Sequence, residues 1–241
     1  MLASKNLVDA MDTQHGIQGS QISPSGRRPA TLGDEKYQRG VRSISPVQFG
    51  LSFDPSSDPI DFMRSSQAVL RNAREAVRVL CGQVNRQLGI NVKEDRLIIV
   101  VDELLNNMVM HGFFGLKGQE VEKFLYEPHS MVEVIKERTA WAREQGKPIA
   151  GRFKLEFSGG EIVLSITDSG PSPASSREEF LQKWASAKQS AADLNDLHHG
   201  RGLKLVVTNL PESTVPDYTP PEIIDGTRSP YWLVLRYNPA E

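Results

Sequence analysis

The chain has 241 residues, 39% of them hydrophobic and 24% charged, enough apolar side chains for a full core once a polar tail is set aside. Its 28 basic and 30 acidic residues leave a net charge of −2 and a pI near 6.2, so no global basic field draws it to nucleic acid. A single cysteine excludes an intrachain disulfide, no apolar run of about 18 residues offers a membrane span, and no basic-then-apolar start marks a secretory signal, so a reducing cytoplasm is the expected compartment.

Residues 1–45 are polar and rich in Gly, Ser, Gln and Arg, which predicts a disordered tail ahead of a domain over 46–241. Val47 to Phe53 alternates like an edge strand. A long helix follows from about Ile60 to Leu88, with Val69, Ala73, Ala76, Val77, Leu80, Val84 and Leu88 on one face. Cys81 falls among them and reads as a core residue. Asn91 with Glu94 resembles a capping box for the next helix. In that helix Leu97, Ile98, Val100, Val101, Leu104, Leu105, Met108 and Val109 recur at helical spacing. Glu103, Asn107 and His111 stand at i, i+4 and i+8, one stripe drifting about 40° per step over about 12 Å. A carboxylate, an amide and an imidazole in one row on a mostly buried helix cost desolvation free energy unless something polar faces them. The plain alternative is that the row is the helix's solvated side.

Phe113 to Ala150 carries two predicted helices, Val121–Tyr126 and Ser130–Gln145, the second with Met131, Val134, Ile135, Trp141 and Ala142 on one face and Arg138 interrupting it. They read as a shield over the sheet, or, with Trp141 as anchor, as a docking element. Phe153, Leu155 and Phe157 then alternate with charged residues up to Ser158-Gly159-Gly160, and Ile162, Leu164 and Ile166 alternate beyond it, which predicts a hairpin. Its second strand runs into Asp168-Ser169-Gly170, where an acid at a strand end meets a Gly that allows close backbone approach; an ordinary turn has the same pattern. Arg177 to Trp184 reads as a short helix. His198-His199-Gly200-Arg201-Gly202-Leu203 opens an apolar run that reads as a helix start. The N–H groups and dipole there favour phosphate, although a loop-to-helix junction also selects Gly. Tyr231 to Tyr237 is a late strand.

In order, these segments resemble the GHKL ATPases, the nucleotide-binding fold shared by sensor histidine kinases and anti-sigma-factor serine kinases. Glu103-xxx-Asn107-xxx-His111 looks like the N box, Asp168-x-Gly170 like the first glycine box, and Gly200-x-Gly202-Leu203 like the second. The likeness spans roughly residues 47–238 and is closest to the anti-sigma serine-kinase branch. It implies an α/β (α+β) two-layer sandwich of the Bergerat type, a mixed, mostly antiparallel sheet with helices on one face. It also implies ATP and Mg²⁺ as cofactors. Asn107 would ligate Mg²⁺ and Glu103 would be the general base. Asp168 would accept from the adenine amine beside Gly170. Gly200, Gly202 and Leu203 would close the phosphate side, with Arg201 and His111 meeting phosphate charge. Residues 171–199 would be the ATP lid and about 114–150 an added helical insertion. The family's further glycine after Gly170 is here Ser172, between two prolines.

The function so implied is a serine-protein kinase of the anti-sigma-factor type. It would phosphorylate a small antagonist protein and capture a sigma factor, acting in the cytoplasm as a possible homodimer. The alternative is an ATP-dependent binding switch without turnover. Other chemistries are poorly represented. No G-x-x-x-x-G-K-[ST] is present, Gly170-Pro171-Ser172-Pro173-Ala174 is a proline-broken G-x-S-x-G, and adjacent His198 and His199 lack further ligands at zinc spacing. The long helix before the N box contains no His, which disfavours the histidine-kinase branch.

Overall fold

Alternation along the strands sets which face of the sheet is buried. The computed structural model describes residues 44–171, 176–189, 201–224 and 227–240. The sheet consists of β1 (Ile44–Phe53), β2 (Ile149–Ser158), β3 (Glu161–Asp168), β4 (Val215–Thr219) and β7 (Tyr231–Tyr237), in the order β1-β2-β3-β7-β4. A separate two-stranded ladder pairs β5 (Ile223–Ile224) with β6 (Thr227–Arg228). Every ladder of the five-stranded sheet is antiparallel, which corrects the expectation of a mixed one. With short returns rather than crossover helices between β2 and β3, antiparallel pairing is the geometry available there.

The β2–β3 hairpin forms as its sequence predicts. Gly159 and Gly160 both take positive φ, 62° and 84°, which a two-residue turn matched to strand twist requires. Register then stacks Phe49, Phe153, Ile166 and Leu233 across four strands on one face, and Leu155, Leu164 and Leu235 in the next row. Those side chains are buried or half-buried, whereas Arg152, Gln48, Ser52 and Arg236 on the opposite face are exposed. β4 was not foreseen. It contains Pro216, and a proline fits only where one side of the strand needs no donor, as at this sheet edge.

Seven helices are described: α1 (Pro59–Leu88), α2 (Glu94–Asn107), α3 (Gly118–Tyr126), α4 (Pro128–Arg138), α5 (Ala140–Glu144), α6 (Arg177–Gln189) and α7 (Arg201–Asn209). The architecture is thus α+β, with the apolar faces of the helices and the buried face of the sheet sharing one core. Asp58 caps α1 by accepting from the Ile60 N–H at 2.8 Å, Pro59 opens it, and Gly89 closes it in the left-handed region. Leu70, Ala73, Val77, Leu80, Cys81 and Val84 are buried along its inner face. Burial pushes the Cys81 thiol up to about 11, so it is a core side chain and not a nucleophile at neutral pH. Arg74 of α1 holds Asp102 of α2 with both Nε and Nη2, at 2.9 and 2.7 Å. No single helix among the described residues is long and apolar enough to cross a membrane.

Three local expectations are corrected. The strand at the start extends back to Ile44, so residues 44–45 belong to the sheet and not to the tail; residues 1–43 lie outside the described residues. The helix expected over 130–145 is two, α4 and α5, broken at Thr139, whose hydroxyl turns back to the Ile135 carbonyl at 2.7 Å. The capping box at Asn91 and Glu94 does not form. Lys93 is the N-cap of α2 and makes no side-chain cap bond.

Arg138, the charged interruption on the apolar face, has a partner on the neighbouring helix α3. Its two terminal nitrogens bind the Glu120 oxygens at 2.7 and 2.5 Å, and one also donates to the Gly115 carbonyl at 2.6 Å. This bidentate pair ties α3 to α4, while Phe124, Met131 and Ile135 enter the core. These helices therefore pack against the core, with Trp141 half-buried there. The Arg138 guanidinium, with the Lys117 N–H, holds the Glu120 carboxyl at about 2, below its ordinary 4.5. A depressed carboxylate stabilises the fold above its unfolded value and loses that contribution as pH falls through the folded one. Between about pH 5 and 2 the wild type should lose about 1 kcal/mol more than Glu120→Gln, a figure discounted for the pair's partial exposure. Urea melts of both proteins across that range check this.

Candidate functional site

The helix that carries Glu103 and Asn107 does not continue as an α-helix. Met108 to Phe113 is a π-helical turn, with the Phe114 N–H donating to the Val109 carbonyl at 3.0 Å. In an α-helix four residues overshoot a full turn by about 40°, and in the wider π turn four residues fall short of one. The regular stripe through His111 is therefore interrupted after Asn107. His111 is half-buried and its Nδ1 lies 2.6 Å from the Leu116 carbonyl, so the ring is engaged with the loop after the π turn.

The widened turn has a packing role. It brings Met108 and Phe113 onto Gly151 of β2, where a β-carbon would lie within 2.6–2.9 Å of their side chains. The same turn presents Gly112 to Asp168. A β-carbon on Gly112 would collide with the Asp168 carboxylate, and one on Gly170 would collide with the Gly112 carbonyl. Asp168 itself is only 2% exposed, on the sheet's inner face opposite Gly151 and Tyr231. Its Oδ1 accepts from the Gly170 N–H at 2.9 Å, closing an Asx turn. Desolvation first, and then the charge and hydrogen bond of Asp168, push the Tyr231 phenol well above its usual range, so Tyr231 stays a neutral donor.

The second glycine segment arrives from the other side. α7 packs along α2, and its second residue, Gly202, stands against the predicted pair. A β-carbon there would lie 2.9 Å from Glu103 Oε2 and 3.3 and 3.4 Å from Asn107 Nδ2 and Oδ1. The start of α7 thus faces a carboxylate and an amide at the C-terminal end of α2. Leu203 is half-buried against the core. Of Arg201 only the backbone is described, and Gly200 lies outside the described residues.

Of the expected site residues, Glu103, Asn107 and Gly202 converge at one contact, and Asp168 and Gly170 converge with Gly112 at a second, one turn further along. Gly112 and Tyr231 went unrecognised as site residues. The only sequence signal for Gly112 was a glycine ending an apolar helical run, and Tyr231 meets Asp168 through strand register alone.

Part of the segment 171–199 is described, and its helix is longer than the one expected over Arg177–Trp184. α6 runs from Arg177 to Gln189 and buries Trp184 and Ala187. Phe180 stacks on Tyr218 at 4.4 Å, and Tyr218 lies 6.2 Å from Tyr231, so an aromatic series joins α6 to the residue that binds Asp168. Among the described residues, no three His, Cys, Asp or Glu side chains cluster as metal ligands.

The close approach at Gly170 has a measurable consequence. Gly170→Ala would drive a methyl group into backbone, which cannot yield as a flexible side chain does. It should cost about 2–3 kcal/mol and lower the melting temperature by roughly 5–10 °C. Gly50→Ala, whose added methyl meets nothing within 4 Å, should melt close to wild type.

No protein-family model and no curated protein matches this sequence. The functional reading therefore rests on the residues and their arrangement.

Proposed function

We propose that this chain is a Bergerat-type, GHKL-like ATP-binding domain. In this reading it acts in the cytoplasm as a serine-protein kinase of the anti-sigma-factor kind, phosphorylating a small antagonist protein in a partner-switching circuit. The observation that carries the reading is the contact of Gly202 with Glu103 and Asn107. A glycine at a helix start lets the N–H groups of α7 come close to a carboxylate and an amide, and a phosphate would bind beside that contact.

The residues fit Mg·ATP. Mg²⁺ keeps several waters and takes oxygen ligands, so the Asn107 amide oxygen together with phosphate oxygens is a sufficient set. Bound ATP supplies the transferable phosphoryl group. Glu103 would accept the proton of an attacking serine hydroxyl beside that contact. The start of α7 supplies N–H groups and dipole for the developing charge, since phosphoryl transfer depends mainly on positioning and neutralisation. At the other contact Asp168, fixed by Gly170 and Tyr231 and closely approached by Gly112, would accept from an exocyclic amine.

A second reading, an ATP-dependent binding switch without turnover, is favoured by α6. Its docking by Phe180 and Trp184 gives the lid a defined surface that a partner can recognise. The first test is a calorimetric titration of the full chain with ATP. Saturable binding that is lost with EDTA is the expected result. Absence of binding, or binding indifferent to Mg²⁺, would sink the site as drawn here.

A further inference from the structure

A pocket of about 230 Å³ lies at the opposite end of α2 from Asn107. The 14 residues of α2 put about 20 Å between the two ends, so this pocket is separate from the Glu103–Asn107 contact. It is formed where the start of α2 meets the end of α7 and the end of β7. We propose that it binds a small organic anion, a carboxylate on a compact apolar body.

Three independent features converge on that chemistry. The first turn of α2 has no side-chain cap, so its leading N–H groups are left to a ligand, while Glu94 and Asp95 of that turn offset the helix dipole. Lys93 and Arg96, both exposed cations, line it; Glu94 and Asp95 of the same turn do not. Third, Tyr237 forms part of the wall. Its side chain is 6% exposed, and its hydroxyl makes no hydrogen bond among the described residues. The O–H is a donor that an acceptor bound in the pocket can take up. Burial also pushes its phenol up, which keeps it protonated.

Volume and walls narrow the ligand. A cavity of about 150 Å³ admits benzene, so the space suits one ring or a short branched chain bearing a carboxylate. Sites for drug-sized ligands begin at about 300 Å³, which leaves too little room for a nucleotide. Val92, Leu97 and Pro211 supply apolar wall, which a bare inorganic anion would leave unused.

The test uses the full chain and 4-fluorobenzoate observed by ¹⁹F NMR. Saturable binding is expected, weakened about tenfold by Tyr237→Phe, which removes only the hydroxyl. The exposed pair Lys93→Gln with Arg96→Gln should abolish saturation without changing the melting temperature. Asn107→Ala should bind the probe like wild type, which keeps this result distinct from that of the ATP titration. No saturation of the wild type, or saturation untouched by both sets of variants, overturns the site. Inorganic phosphate or neutral fluorobenzene displacing the probe with equal affinity overturns its assignment to an organic anion.

Discussion

Asn107→Ala is expected to weaken Mg·ATP binding by at least about a hundredfold while leaving the fold intact. Asn107 is the last residue of α2, half-buried, with its amide directed at the start of α7 beside Gly202. The proposed metal has one protein ligand, so removing it leaves only water and phosphate oxygens around the ion. Losses of even outer-shell support at metal sites run to about 10–100-fold, and a direct ligand should cost more. Truncating a half-exposed side chain outside the apolar core should change stability by about 1 kcal/mol or less. Calorimetry with and without Mg²⁺ separates the outcomes. A variant that binds ATP as wild type does, and still responds to Mg²⁺, would remove Asn107 from the site.

Glu103→Ala is expected to divide binding from chemistry. It should retain ATP affinity within a few-fold but lose phosphate transfer by about 10²–10⁴-fold, the usual range for a general base. Its carboxylate faces the same glycine as Asn107, so under the proposed function one contact would hold two groups with different tasks. Glu103→Gln keeps the shape and removes the basicity, and should be as inactive as Ala if proton acceptance is the role. The assay is transfer of labelled γ-phosphate to a serine of a candidate antagonist protein. Retained transfer in Glu103→Gln would reassign the residue to positioning. A wild type that binds ATP yet phosphorylates no such antagonist would make the non-catalytic switch the better account.

The two variants also test the site as a unit. If Gly202 holds α7 against Glu103 and Asn107 as the packing indicates, loss of either side chain opens space without unpacking the helices. α2 and α7 still pack along each other and contribute the buried residues Leu104, Leu105, Val206 and Val207 to the common core. Stability should therefore change little in both variants, and changes in affinity or transfer can be read as effects at the Gly202 contact.

Sequence alone determined the local elements, because their causes are local. Period-two alternation and Gly159-Gly160 define the β2–β3 hairpin, and period-3.6 burial with Asp58-Pro59 and Gly89 defines α1. The polar row through Glu103 and Asn107, and the two glycine segments, were also legible, since residue type and spacing are all such motifs consist of. What each segment faces was decided only by tertiary structure. The π turn arises where α2 must seat Met108 and Phe113 on Gly151, 38 residues or more away in the chain, and it turns His111 to Leu116 instead of continuing the row. The Asp168–Tyr231 pairing exists through β3–β7 register, the Arg138–Glu120 clamp through the meeting of α3 and α4, and β4 through an edge that accepts Pro216. These are long-range contacts, and their free energy depends on which surfaces packing brings together. A sequence window of one helix turn or one strand contains no information about that.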